Sequence, residues 1–423
     1  MKTLLIKPNG KKSQYRTVKD ISAIEPPLWM AVMANNYKDP LILDCESLDY
    51  SVDDLHIVLD YYAQIHKIGE IVIMAIGSHP SANIQQKAEA IKMKEALSDL
   101  EVPITIHDTL PCNPIDIKLP RWDLVYTDHR YRPHNWHVWG EKDKKTYGVI
   151  YSSISCPYSC DFCQVKSFYK SDYRVRPIDN VIADIDTQYS RYDIRNFKMM
   201  DELFAIPSRH TQELCQALAT TVGKDVNIWA YARINTVTDK LLKQMRKGGV
   251  KWLAYGIESG NQEIRKSANK GEFSNEKIKD VVKMTKDNGI NVVGNYMFGF
   301  ANDTIDTLKE TYDFAVELNC EYSNFYCVVA YPDSPLYNEM KLKGIYLPED
   351  YEEYAQMSPK FSPLPTRTLT SEQVLDFRDS AFTRYFTNSD YLNYMSSRFG
   401  EECKNEIKKV TSIKIIRQNK CMS

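Results

Sequence analysis

Apolar residues open the chain in short runs of strand length, "TLLIKP", "PLILDCE", "EIVIMAI" and "VPITIHD". Between them lie longer stretches of helical pattern, "PPLWMAVMANNY", "DDLHIVLDYYAQIH" and "NIQQKAEAIKMKEAL". Short β-branched runs alternating with helices predict parallel strands joined by crossover helices, a doubly wound, Rossmann-like α/β domain over residues 1–115. Residues 116–145 are polar and aromatic, with prolines at intervals and little periodicity, and read as an ordered linker. From 146 to 338 the alternation resumes on a longer step. Its strand candidates are "YGVIYSSI", "NFKMMDELF", "VNIWAYARI", "KWLAYGIES", "INVVGNYMFGF" and "SNFYCVVAYP", separated by helical stretches such as "TDKLLKQMRKGG". Six such units fall short of the eight of a closed barrel and predict an open, TIM-like (β/α)6 barrel. Residues 339–423, with "TSEQVLDFRDSAFTRYF" opening on Thr370 and Glu372, predict a small C-terminal helical domain.

The bulk composition narrows the class. With 423 residues, 43% of them hydrophobic, the chain has material for two or three cores. A net charge of −2 with acids and bases interspersed argues against a nucleic-acid partner. The locally basic tail "KKVTSIKIIRQNK" reads as a solvated end. No segment approaches the roughly 20 apolar residues of a membrane span, and the first apolar run is broken by Pro8 and Gly10, so a soluble, cytoplasmic protein is expected. Of ten cysteines, seven (Cys45, Cys112, Cys215, Cys320, Cys327, Cys403 and Cys421) are scattered and read as small buried hydrophobes of a reducing compartment.

The other three stand together in "CPYSCDFC", as Cys156, Cys160 and Cys163, on a loop after the first barrel strand. That is the strand's C-terminal end, where such barrels carry their chemistry. Clustered thiolates suit zinc or an iron–sulfur cluster. A closed zinc site would need a distant fourth ligand, since "QVKSFYK" follows, whereas a cubane with one iron left open needs nothing more. A zinc-stapled binding module is the non-enzymatic alternative.

The C-x3-C-x2-C spacing, with Phe162 before the last cysteine, resembles the signature of the radical S-adenosylmethionine superfamily. The resemblance implies a 4Fe-4S cluster on the three cysteines, with S-adenosylmethionine on the free iron and a 5′-deoxyadenosyl radical as its product. It also implies an electron donor such as flavodoxin or ferredoxin. Followed strand by strand over about residues 147 to 335, it places Asp201 and Glu202 of "MMDE" near the cosubstrate's amino group and Arg233 of "YARINT" near its carboxylate. Glu258 of "GIESG" falls at the ribose hydroxyls, and Phe162 and Asn295 complete the cosubstrate set. The residue that acts on the substrate stays unknown.

A doubly wound domain before such a barrel resembles the cobalamin-binding branch of that superfamily. The resemblance implies corrin contacts in "GSHPSAN", at Gly77, Ser78, His79, Ser81 and Ala82. Many cobalamin proteins carry D-x-H-x-x-G, and here "DLHIVL", with Asp54 and His56, has only its first half and reads as a surface coincidence. The implied activity is methylation of an unactivated carbon of a small molecule. The alternative is a radical enzyme without cobalamin that performs isomerisation, dehydrogenation or coupling. The methylthiotransferase relatives are set aside, because they need three further cluster cysteines in the N-terminal domain and only Cys45 and Cys112 are there.

Overall fold

Four parallel strands, β1 (Lys2–Lys7), β2 (Pro40–Asp44), β3 (Ile68–Met74) and β4 (Ile104–His107), form the N-terminal sheet in the order β2-β1-β3-β4. Their apolar runs are continuous because both faces are covered. The connection from β1 to β2 holds α1 (Gly10–Gln14) and α2 (Leu28–Met33), and α2 packs with Leu5, Val72 and Met74 on one face. After the short α3 (Cys45–Leu48), α4 (Leu55–Ile65) and α5 (Pro80–Ala96) cover Leu4, Ile6, Ile71 and Ile73 on the other face. Right-handed crossovers require this division when the strand order reverses beside β1. The reversal places a topological switch point between the ends of β1 and β3, at Lys7 and Gly77. His56, on α4, bonds the Ala96 carbonyl at 2.8 Å and pins two surface helices together.

The chain here is a computed structural model that describes residues 1–77, 80–110, 114–127, 130–170, 172–206 and 208–418. Six further parallel strands lie side by side in chain order: β5 (Gly148–Ile150), β8 (Asn196–Met199), β9 (Asn227–Ala232), β10 (Val250–Glu258), β11 (Asn291–Phe298) and β12 (Tyr322–Cys327). A two-stranded hairpin, β6 (Ser153–Ile154) with β7 (Arg174–Val175), flanks the cysteine loop and encloses α6 (Val165–Tyr169). The crossover helices are α7 (Ile178–Tyr192), α8 (Arg209–Thr221), α9 (Asp239–Lys247), α10 (Gln262–Ser267), α11 (Asn275–Asp287) and α12 (Ile305–Leu318), and α13 (Pro335–Leu342) follows β12. Ser208, Thr238, Ser274 and Thr304 each accept a backbone N–H at the start of α8, α9, α11 and α12. Such caps contribute about 1 kcal/mol each and let the chain turn sharply from a strand's C-terminal loop into the next helix.

Edges β5 and β12 do not pair, so the barrel is open and other segments fill it. The linker closes the strands' N-terminal ends. Trp136 packs its ring within 5.2 to 5.4 Å of Trp229, Trp252 and Tyr322, and His137 and Asn227 exchange side-chain-to-backbone bonds of 3.1 and 2.7 Å. Upstream, Arg176 and Asp184 form a fully buried ion pair at 2.8 Å, and Arg176 also donates to the carbonyls of Ile117 and Lys118. The aromatic text of the linker is thus a plug at the barrel floor.

After α13 the chain stays irregular, apart from one 3-10 turn, until α14 (Ser371–Phe386), α15 (Ser389–Phe399) and α16 (Glu401–Thr411). The expected C-terminal helical domain is therefore helical only from Ser371, after α13 ends. Its buried Val374, Tyr385, Met395 and Ile407 belong to the same core as the barrel, and the Tyr385 hydroxyl donates to the Cys320 carbonyl at 3.0 Å. These helices are a layer on β12 without a core of their own. The basic tail is not wholly solvated either: Arg417 is buried against Asp379 and donates to the Ser358 carbonyl at 2.8 Å. Among the described residues no helix is long and apolar enough to cross a membrane.

Candidate functional site

The cysteine loop begins on a strained residue. Ser155 is fully buried at φ 66°, in the left-handed region where a side chain costs about 1 kcal/mol, and it swings the chain out of β6 into Cys156. The Cys163 amide donates to the Cys160 carbonyl at 3.1 Å, closing a turn in the loop that carries the three half-buried thiols. Burial pushes the Cys163 thiol up to about 12 and raises that of Cys156. The buried, scattered Cys215, Cys320 and Cys403 are raised in the same way, so the shifts report burial and do not single out the loop thiols. Among the described residues no three His, Cys, Asp or Glu side chains are gathered as for a single ion, so the case for a cluster rests on the donor set and spacing. Of the scattered cysteines, Cys45, Cys215, Cys320, Cys327 and Cys403 are buried, and Cys112 and Cys421 lie outside the described residues.

Around this loop the strand ends of the barrel bring their polar residues. Arg233, just past β9, donates from Nη1 to the Cys160 Sγ at 3.2 Å and stacks on Tyr158 of the loop, 4.1 Å from the ring centre. Glu258 ends β10 at φ 67°, after a register shift against β11, and this turn brings its carboxylate to 2.6 Å from the Lys270 ammonium. Gly256 makes room for that pair, since a Cβ there would lie 2.5 Å from both the Glu258 Oε1 and the Lys270 Nζ. Glu202 is held by burial up to about 8, against the pull of Lys198, and takes a long contact of 3.4 Å from the Tyr169 hydroxyl. Phe162 sets its ring edge-on to Phe300 at 5.7 Å.

Two expected cosubstrate residues also brace the scaffold. The Asp201 Oδ1 accepts from the Ser152 amide and its Oδ2 from the Ser152 and Ser153 hydroxyls, all at 2.6 Å. These bonds tie the end of β8 to the chain that leads into the cysteine loop, next to Glu202. The Asn295 amide donates to the Tyr255 carbonyl at 3.2 Å and accepts from Asn324 at 2.9 Å, bracing β11 between its neighbours. Sequence reasoning missed Lys270, Tyr158 and Tyr169. Lys270 sits in "SANKGE", where a lysine followed by glycine after a short helix was the available signal.

A narrow cleft of about 120 Å³ lies at the switch point of the N-terminal sheet, smaller than a whole small-molecule site and large enough for one edge of a ligand. Lys7, Glu46, Gly77 and Ala82 line it from the sheet's carboxyl edge, and His134 and Met200 line it from the linker and the barrel. Gly77 is required there by its own helix: a Cβ would meet the Ala82 Cβ at 2.6 Å. Ser78, His79 and the side chain of Ser81 lie outside the described residues. The Gln86 Oε1 is buried in the cleft wall with no partner among the described residues, an acceptor suited to a ligand rimmed with amide donors. Burial opposes charge in this wall, but the Lys11 and Lys7 ammonium groups hold the Glu46 carboxyl below its ordinary range. Tyr15 connects cleft and mouth. Burial pushes its phenol up to about 12, and its charge is felt by the phenols of Tyr326, in the barrel's last strand, and Tyr331, just after it.

Residues 150–315 match the family model described as Radical SAM superfamily. An uncharacterised methyltransferase of Pyrococcus horikoshii is 25% identical over 66% of this chain and 57% of its own length. The anaerobic magnesium-protoporphyrin IX monomethyl ester cyclase of Rubrivivax gelatinosus is 29% identical over 67% of this chain and 49% of its own length. The chain thus spans about half the length of these relatives. Among solved structures, the radical S-adenosylmethionine methyltransferase TsrM of Kitasatospora setae, with cobalamin and a [4Fe-4S] cluster bound, superposes with a TM-score of 0.65 at 12% identity, covering 96% of this chain and 99% of that one. The cobalamin-dependent enzyme OxsB gives 0.59 at 13% identity over 97% and 78%. These two likenesses show the fold, a Rossmann-like domain before an open barrel and C-terminal helices. With its three-thiol loop at the mouth of a six-stranded parallel barrel, the chain carries a domain of the radical SAM superfamily.

Proposed function

We propose that the chain is a radical S-adenosylmethionine enzyme that uses cobalamin to methylate an unactivated carbon of a small molecule. One observation supports this reading: the three-cysteine loop follows the first strand of a parallel barrel, and the switch-point cleft of the N-terminal sheet is lined from the barrel side by Met200, next to Glu202. Cys156, Cys160 and Cys163 would hold a 4Fe-4S cluster. Glu202 and Arg233 would receive the amino and carboxylate groups of S-adenosylmethionine, Arg233 through Nη2, while Glu258, steadied by Lys270, takes the ribose hydroxyls. Phe162 and Asn295 would lie on the adenine side. Gly77, Ala82 and the Gln86 oxygen would meet the corrin edge. When bound, these groups supply reductive cleavage of the sulfonium and a transferable methyl. The protein's own part is to exclude water between the two halves and fix the distance between the groups. A flavodoxin- or ferredoxin-like donor would deliver electrons, and the cytoplasm suits such an oxygen-sensitive site.

The test is anaerobic reconstitution followed by reduction with S-adenosylmethionine present. Acid-labile sulfide, a bound corrin spectrum, 5′-deoxyadenosine and S-adenosylhomocysteine are all expected. Protein without sulfide ends the radical reading. Sulfide and 5′-deoxyadenosine without corrin or S-adenosylhomocysteine leave the cobalamin-free alternative. A second reading, ring closure on a tetrapyrrole, is favoured by the 29% identity to the cyclase. Its product would form without added methyl, which a methyl-labelled cosubstrate distinguishes.

A further inference from the structure

Cys160 differs from the other two thiols of the loop in its neighbours. The Arg233 Nη1 donates to its Sγ at 3.2 Å, and among the described residues no side-chain N–H reaches the sulfur of Cys156 or Cys163. The guanidinium is clamped from three directions: Tyr158 lies under it at 4.1 Å, Asn235 accepts from its Nε at 3.1 Å, and the sulfur stands before Nη1. Lys270 adds a second positive charge near the same sulfur: burial works against its ammonium, and Glu258 and Cys160 outweigh that. Arg233 is 7% exposed, so little water screens its charge.

Reduction of a cluster held by these thiolates adds one electron and breaks no bond. The added negative charge is stabilised by a fixed cation hydrogen-bonded to a ligand sulfur, because the reduced state is the more negative of the two. We infer that Arg233 sets the reduction potential of the cluster through Cys160, raising it so that an external one-electron donor loads the site before the cosubstrate arrives. This rests on the radical reading above and gives Arg233 a tuning role that is independent of its contact with the cosubstrate carboxylate.

The experiment is a redox titration of the reconstituted full-length protein without S-adenosylmethionine, followed by the electron paramagnetic resonance of the reduced cluster. Arg233→Gln is expected to lower the reduced-to-oxidised ratio at a fixed poise about tenfold, which is 59 mV for one electron. Arg233→Lys keeps the charge and loses the fork, and is expected to lie between the two. Tyr158→Leu removes the ring that holds the guanidinium and is expected to shift the potential the same way by a smaller amount. Arg233→Gln protein with wild-type iron and sulfide and an unchanged potential would overturn the inference, leaving Arg233 a cosubstrate ligand only. If Arg233→Gln fails to assemble a cluster, unchanged potentials in Arg233→Lys and Tyr158→Leu overturn it equally. Wild-type protein with no sulfide sinks the underlying reading instead, so the two failures are told apart.

Discussion

Glu202 makes a sharp prediction because its environment stores a neutral carboxyl next to the cysteine loop. Burial is the largest influence and lifts its ionisation from 4.5 to about 8, with Lys198 pulling the other way. A carboxyl whose pKa is raised on folding binds its proton more tightly in the native state, so its stabilising effect is full below pH 4.5 and is lost as pH rises toward 8. Between pH 6 and pH 8 the unfolded chain is already ionised while the folded one only begins to be. The native state therefore loses about 2 kcal/mol from this one group, at 1.36 kcal/mol per unit of differential titration. Glu202→Gln keeps the shape and abolishes the titration. Urea unfolding of cofactor-free protein at pH 6, 7 and 8 should show wild-type stability falling faster than that of the variant, with the difference growing by about 2 kcal/mol across the range. Parallel curves for the two proteins would mean that Glu202 is solvated in the fold and would refute the reasoning.

The remaining predictions concern the same architecture. Cys156→Ser should leave the fold intact and reduce bound iron and acid-labile sulfide severalfold after reconstitution, because serine at one of three ligand positions leaves the cluster short of a thiolate. Gly256→Ala places a methyl 2.5 Å from both the Glu258 Oε1 and the Lys270 Nζ. Prising that pair apart should weaken S-adenosylmethionine binding about tenfold to hundredfold, the equivalent of one charge-assisted hydrogen bond of about 1.5 to 3 kcal/mol, read by calorimetry. Asp184→Ala strands the Arg176 guanidinium in a fully buried site, where the structure gives it Asp184 at 2.8 Å. The loss should be about 3 to 5 kcal/mol by denaturant titration, and an apolar replacement of both partners should restore most of it.

What the sequence made legible was whatever has a local cause. Each of the ten strands of the two large sheets overlaps an apolar run of the text, four of them starting one or two residues before it, because a buried parallel strand must be apolar on both faces over a short length. The cysteine loop showed itself by spacing alone. The scaffold bonds of Asp201 were hidden because its partners, Ser152 and Ser153, are some 49 and 48 residues away, and nothing in "MMDE" tells which way a strand-end carboxylate turns. Lys270 stayed hidden for a related reason. Its bond to Glu258 depends on a left-handed turn and a register shift at the end of β10, and backbone irregularities of that kind carry no residue pattern when the residue is not glycine. The linker's tryptophans gave their size to the sequence and their destination only to the fold.

The meeting of cleft and mouth follows from one rule applied twice. In a parallel sheet every strand delivers its side chains for chemistry at the same edge, and here the cleft at that edge of the N-terminal sheet is also lined by Met200, at the end of β8 in the barrel. The chain between β1 and β2 sets their alignment. Glu25 precedes α2 and meets Lys198 of β8 at 2.8 Å, with Lys198 only 3% exposed, and Trp29 packs on Tyr151 at 5.2 Å. Lys7, at the switch point, donates to the Glu25 carbonyl at 3.0 Å. One short segment therefore touches the end of β1, the interior of the barrel and the wall of the cleft. A buried ion pair adds little net stability over an apolar contact, but it has one geometry in which both charges are satisfied. A joint that fixes how the N-terminal sheet sits on the barrel has more use for that single geometry than for added stability.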